Sequence, residues 1–87
     1  RMTNVKASNI KLKERSLRIL MSETGLDEES AQRFLTEAND DLRVAIVMFR
    51  AKVDPETAKE ALHHTDFVVD KAFDLIISQT MDEYRRD

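Results

Sequence analysis

Lys11 and Arg15 stand four residues apart in the stretch "VKASNIKLKER", Val5 to Arg15, with Asn9 just ahead of them. On a helix that spacing puts both cations on one face. Ser8 and Asn9 are cap residues, whose side-chain oxygens accept from the free backbone N–H groups of a helix start. Such a start already carries partial positive charge, and acids usually complement it. Cations stacked there, beside free amides and a polar Asn9, suit a phosphate group, which would accept from the amides and pair with both side chains. The competing reading is a basic face that simply meets water. Residue chemistry alone leaves both open.

Little else in the chain could act chemically. His63 and His64 are adjacent, and neighbours on a helix do not converge on one ligand, so they read as surface or partly buried residues. The acid pairs Glu28–Glu29 and Asp40–Asp41 fall where helices begin and are explained by capping and dipole complementarity. General acid–base catalysis needs a buried, perturbed carboxyl, which no stretch of the sequence indicates. There is no Cys, hence no thiolate nucleophile, thiolate metal site or disulfide. No Gly-rich phosphate loop or metal-ligand spacing occurs. The chain alone is therefore expected to have no catalytic residue, metal or cofactor. The four Met residues read as core or tail filler rather than a partner groove.

The elements that must position Lys11 and Arg15 are helical. Eighty-seven residues suit one domain, and 41% hydrophobic with 36% charged residues, one Gly and one Pro describe a compact helical protein. No apolar run approaches a membrane span, and no signal-peptide core opens the chain, which predicts a soluble cytoplasmic setting and no membrane partner. The net charge of −3 is polarised. Residues 1–18 hold six cations against the single acid Glu14, a local balance of +5, so the remainder carries −8. That acidity opposes a nucleic-acid partner. The basic segment faces an anion or pairs with the acidic remainder.

Helix 1 is expected over Asn9–Thr24, with Leu17, Leu20, Met21 and Thr24 on one stripe and Gly25 as its left-handed stop. Residues 1–8 are then an extended linker. Asp27 caps helix 2, which buries Ala31, Phe34, Leu35 and Ala38; Asn39 ends it, and Asp40 or Asp41 caps helix 3. Helix 3, "LRVAIVMF", is apolar nearly all round, with a stripe of Leu42, Ala45, Ile46 and Phe49 flanked by Val44, Val47 and Met48. That pattern predicts the central element. Helix 4 opens at Asp54-Pro55 and buries Ala58, Ala61, Leu62 and Thr65. Asp66 is expected to cap helix 5, which buries Val69, Ala72, Phe73 and Ile76, before a polar tail over 78–87 frays into solvent.

A shift of 27 residues lays Asp27 on Asp54, Glu29 on Glu56, Ala31 on Ala58, Leu35 on Leu62 and Ala45 on Ala72. Caps and core stripe fall in register, so each unit is a helical hairpin that must stack on its copy, with helix 1 across both, to close a core. The expectation is an all-α, five-helix domain over residues 9–77.

Two resemblances arise on these residues. "LMSETGLDEESAQRFLTEANDDLRVAIVMF" resembles a UBA-type three-helix domain, with Gly25-Leu26 at the family's Met-Gly-aromatic loop and Ala45 at its small core position. Thr24 and Leu26 depart from that loop. More of the chain, Val5 to about Leu75, is similar to the C-terminal helical domain of N-acetylmuramic acid 6-phosphate etherases, through "VKASNIKLKERSLRI", "TGLDEESAQRFLTEANDDLRVAIVM" and "VDPETAKEAL". The glucokinase regulatory protein shares this architecture more distantly. The etherase resemblance implies a fragment lacking an upstream sugar-isomerase domain. It implies a homodimeric parent lyase that releases D-lactate from N-acetylmuramic acid 6-phosphate in cell-wall recycling. The helical part would cap the phosphosugar site and support the dimer without being catalytic, and Asn9, Lys11 and Arg15 would reach the sugar phosphate. The competing classes are a free-standing UBA-like protein-binding module, a phosphosugar-binding regulatory protein and a purely structural dimerisation element.

Overall fold

Asp27, Asp41 and Asp54 each turn a carboxylate back onto the first free amides of a helix, and these three caps set the frame of the fold. The computed structural model describes residues 2–85, with side chains described for residues 11–81. Its helices are α1 (Met2–Thr24), α2 (Glu28–Glu37), α3 (Leu42–Ala51), α4 (Pro55–His64) and α5 (Val69–Arg85), with no strand among the described residues. Asp27 accepts from the Ser30 amide at 2.9 Å, and Asp54 accepts from the Thr57 amide at the same distance. Asp41 rather than Asp40 caps α3, accepting from the amides of Arg43 and Val44.

The two hairpins repeat down to backbone conformation. Gly25 and Lys52, one repeat apart, are both left-handed, at φ 78° and 56°. Asn39-Asp40 and Asp66-Phe67 are both left-handed pairs, at φ 59° and 66° and at 56° and 63°. In each connector the second residue's amide reaches back five residues at 2.7 Å, Asp40 to Leu35 and Phe67 to Leu62, and so satisfies a carbonyl orphaned at the helix end.

α3 is the central helix, in contact with α1, α2, α4 and α5. Val44, Ala45, Val47 and Met48 are fully buried, while Leu42 and Ile46 are half-buried. All three expected flank residues are thus buried, but of the expected stripe only Ala45 is, because α3 is covered from several sides. Leu20, Ala31, Leu35, Ala58, Leu62, Ala72 and Ile76 complete the core. Between the hairpins, Arg50 donates to Asp70 at 2.9 Å and lies 4.8 Å from the Phe73 ring centroid, tying the end of α3 to α5.

Several local expectations are corrected. α1 begins at Met2, so residues 2–8 are helical rather than an extended linker, and Ser8 and Asn9 lie inside the helix. Nothing in "MTNVKAS" breaks a helix, and extending one already nucleated is cheap. α1 packs against α2 and α3 rather than across both hairpins. α5 continues to Arg85, so the expected fraying tail is helical through that residue; its exposed stretch again lacks Gly and Pro.

Asp66 does not cap α5: its left-handed backbone places it in the connector, and Val68 stands where the first carbonyl of α5 accepts from Ala72. Val68 is the repeat counterpart of Asp41 and has no side-chain acceptor. The other bulky departure is Phe67, whose left-handed backbone costs about 1–2 kcal/mol, where the first hairpin has Asp40.

Two outcomes follow from the caps. Val68→Asp should stabilise the domain by about 1 kcal/mol, raising Tm by about 4–8 °C for this size in a dilute thermal melt; an unchanged Tm would mean the α5 start gains nothing from an acceptor. The second concerns pH. The Ser30 amide, and then its hydroxyl, hold the Asp27 carboxyl below its ordinary 3.8. At Asp54 the Thr57 hydroxyl acts first and its amide second, in the same direction. A carboxyl whose pKa falls on folding contributes stability above its ordinary pKa, and loses it as pH drops through the folded value. The double variant Asp27→Asn, Asp54→Asn keeps both cap oxygens but cannot titrate, so its denaturant midpoint should fall less steeply below about pH 4 than that of the wild type.

Candidate functional site

Lys11 and Arg15 sit on the third and fourth turns of α1, away from any helix start. The free amides that would have shared a phosphate with them are therefore absent, because the helix continues upstream. The side chain of Asn9 lies outside the described residues. What remains is a ridge: Lys11, Arg15 and Arg18 follow one another at helical spacing, all exposed, with Lys11 and Arg15 facing away from Leu20 and with Arg18 bordering Leu17, Met21 and Glu28. The described side chains form two ion pairs, Lys13–Asp40 at 3.7 Å and Arg50–Asp70 at 2.9 Å, and neither involves the ridge. Leu12, 59% exposed, and Ile19, 39% exposed, border it.

The repeat gives this ridge a structural meaning. Arg15 and Arg18 occupy the places of Leu42 and Ala45 in α3, and of Val69 and Ala72 in α5. There the side chains pack into the core, Ala45 and Ala72 without exposed surface. On α1 exposed cations stand where later helices have apolar contacts, and Glu28 of α2 borders Arg18. A charged outer face is what ends a stack of repeats in water. The two exposed cations remain available to an anion as well, since guanidinium and ammonium four residues apart can both reach one phosphate.

Beside the ridge a shallow groove of about 270 Å³ runs between α1 and the first hairpin, lined by Leu12, Lys13, Ser16, Leu35 and Asp40. Lys13 closes one rim on Asp40. Sequence spacing did not point to this contact, because the two residues are brought together only when α2 folds back along α1. The Arg50–Asp70–Phe73 clamp was missed for the same reason.

His63 and His64 diverge. The His63 ring lies 5.1 Å from that of Phe67 at 60°, whereas His64 borders a small pocket with Thr57, Glu60 and Gln79. Among the described residues no three of His, Asp and Glu gather where a metal ion could bind. At the UBA-like loop, the Thr24 hydroxyl donates to Leu20 at 2.6 Å and accepts from the Leu26 amide at 3.2 Å. Leu26 packs against the core, so its side chain is not offered outward. No helix of the described residues is long and apolar enough to cross a membrane.

Comparison with known proteins places the whole pattern. No protein-family model matches the chain, and no solved structure does. Curated proteins do. The N-acetylmuramic acid 6-phosphate etherase of Geobacillus thermodenitrificans is 41% identical over 73 residues, 84% of this chain and 25% of the relative. N-acetylmuramic acid 6-phosphate etherase 1 of Bacillus licheniformis is 35% identical over 74 residues, 85% of this chain and 24% of its own length. The Pectobacterium atrosepticum etherase is 41% identical over 61 residues, covering 70% of this chain. The chain spans about a quarter of the length of the first two. Over most of its length, then, this five-helix chain is similar to a segment covering about one quarter of the N-acetylmuramic acid 6-phosphate etherases.

Proposed function

We propose that this chain is the C-terminal helical part of an N-acetylmuramic acid 6-phosphate etherase. The parent would be a lyase that removes D-lactate from its namesake substrate in cell-wall recycling, in the cytoplasm. The helical part would cap the phosphosugar site of an upstream sugar-isomerase domain and support the parent's dimer. The observation that carries this reading is the span of the relationship: 84% of this chain aligns with only 25% of a 41% identical etherase. Its chemistry agrees, since among the described residues no charged side chain is buried and no three of His, Asp and Glu gather at one point. Catalysis would then belong to the part of the parent outside this segment.

Within that reading Asn9, Lys11 and Arg15 are the groups that would reach the sugar phosphate. The outward position of Lys11 and Arg15 supports this, because a cap must present its contacts away from its own core. They would bind the phosphate by charge-assisted hydrogen bonds without the help of a helix start.

Kinetics of the full-length protein carrying this segment test the assignment. Replacing Lys11 and Arg15 together by Ala should raise KM for N-acetylmuramic acid 6-phosphate by about tenfold or more, with kcat little changed, as expected for loss of uniform binding. An unchanged KM would remove both residues from the site. A full-length protein with no lyase activity on this substrate would remove the etherase reading itself.

A further inference from the structure

α5 is held in place by less than its neighbours are. Asp27, Asp41 and Asp54 cap α2, α3 and α4, whereas among the described residues no side chain accepts from the first amides of α5. Val68 takes the cap's place there. Just ahead of it Phe67 is left-handed at φ 63°, a region that strains an aromatic residue. Burial does not offset this, since Phe67 is 44% and Val68 41% exposed. Of the α5 side chains described, Ala72 and Ile76 are buried, while Ile77 and Met81 are exposed. The seam with α4 is loose as well. Leu75 and Ile76 leave a cavity of about 110 Å³ against Ala61, lined also by the polar Thr57, His64 and Gln79. Toward α3 the tie is the Arg50–Asp70 pair with the Phe73 ring, and an Asp70 side chain 83% exposed makes such a pair weak.

The end of α4, by contrast, is firmly closed. The Thr65 hydroxyl donates to the Ala61 carbonyl at 2.9 Å, and the Phe67 amide donates to the Leu62 carbonyl at 2.7 Å. The weak point of the chain therefore falls at Phe67–Val68 and not at α4 itself. We infer that α5 opens as a unit about Phe67–Val68 while α1, α2, α3 and α4 stay folded, giving the fold a minor state in which the α4–α5 seam is accessible. Releasing α5 relaxes Phe67 and breaks no cap, so it opens more readily than a helix whose start an aspartate holds. Fraying would begin at the far end of α5 and spare its first turns. A hinge at Val68 releases first and later turns together.

Native-state hydrogen exchange of the 87-residue chain, read amide by amide by NMR over a series of low denaturant concentrations, is the deciding measurement. Amides from Ala72 to Ile77 should share one protection, on the order of tenfold or more below that of Val47 and Met48 in α3. Their exchange should also depend less steeply on denaturant, because opening α5 exposes less surface than unfolding the domain. Val68→Asp gives α5 the kind of cap that α3 has, and should raise the protection of those amides about fivefold. Equal protection and equal denaturant slopes in α5 and α3 would overturn the inference, since the domain would then open only as a whole. So would protection that climbs steadily from Ile77 back to Ala72, the mark of fraying. A Val68→Asp chain whose α5 amides exchange as in the wild type would overturn it too.

Discussion

Four alanines without exposed surface, Ala31 and Ala45 in the first hairpin and Ala58 and Ala72 in the second, set the distances in this fold. They occupy the same two places in each repeat. A methyl group is the only side chain at these points, so neighbouring helices can approach closely and larger residues fill the space around them. Leu20, Leu35, Val44, Val47 and Leu62 do this filling with almost no exposed surface. Interiors packed to this density tolerate extra methylenes badly. The alanines therefore let α2, α3, α4 and α5 share one close-packed core. Everything carried on the outside of that core, including the ridge on α1 and the connector at Phe67, inherits its place from it.

Much of this could be read from the sequence because it depends on short-range chemistry. Asp27 and Asp54 lie just ahead of their helices, Gly25 just after one, and each needs only its own neighbours to act. The 27-residue register exposed the repeat, and the all-round apolarity of "LRVAIVMF" identified the central helix. The failures have a common cause. Ser8-Asn9 and Asp66 have side chains able to cap, but capping also requires a helix to start there, and none does. Whether it does depends on what precedes the residue: an unbroken helix in one case, a left-handed connector in the other. The repeat itself held the correction for α5, since shifting Asp41 by 27 residues leads to Val68 and not to Asp66.

The candidate site was legible in composition but not in geometry. The excess of cations near Lys11 and Arg15 is plain in the sequence, and the exposed ridge on α1 accords with it. A helix dipole plays no part at Lys11 and Arg15, because the free amides of α1 lie about two turns or more upstream. Contacts between elements were invisible for a different reason. Lys13–Asp40 and Arg50–Asp70 span 27 and 20 residues, and their pairing depends on which way each hairpin turns, which helical periodicity does not specify.

The cationic ridge can be both the end of a stack and the beginning of a site. A repeat built to continue would carry Leu and Ala at positions 15 and 18, as α3 carries Leu42 and Ala45. Arg at both positions removes the apolar contact that a further helix would need, and keeps this side of α1 in water. Solubility alone, however, would be met by charges of either sign, in any mixture. Here Lys11, Arg15 and Arg18 are all positive in a chain whose total is −3, and none is neutralised in the two ion pairs formed among the described side chains. Glu14 and Glu28 border Arg18, so the excess of positive charge on this face lies at Lys11 and Arg15. The same residues that stop the fold from growing thus leave exposed cations on α1.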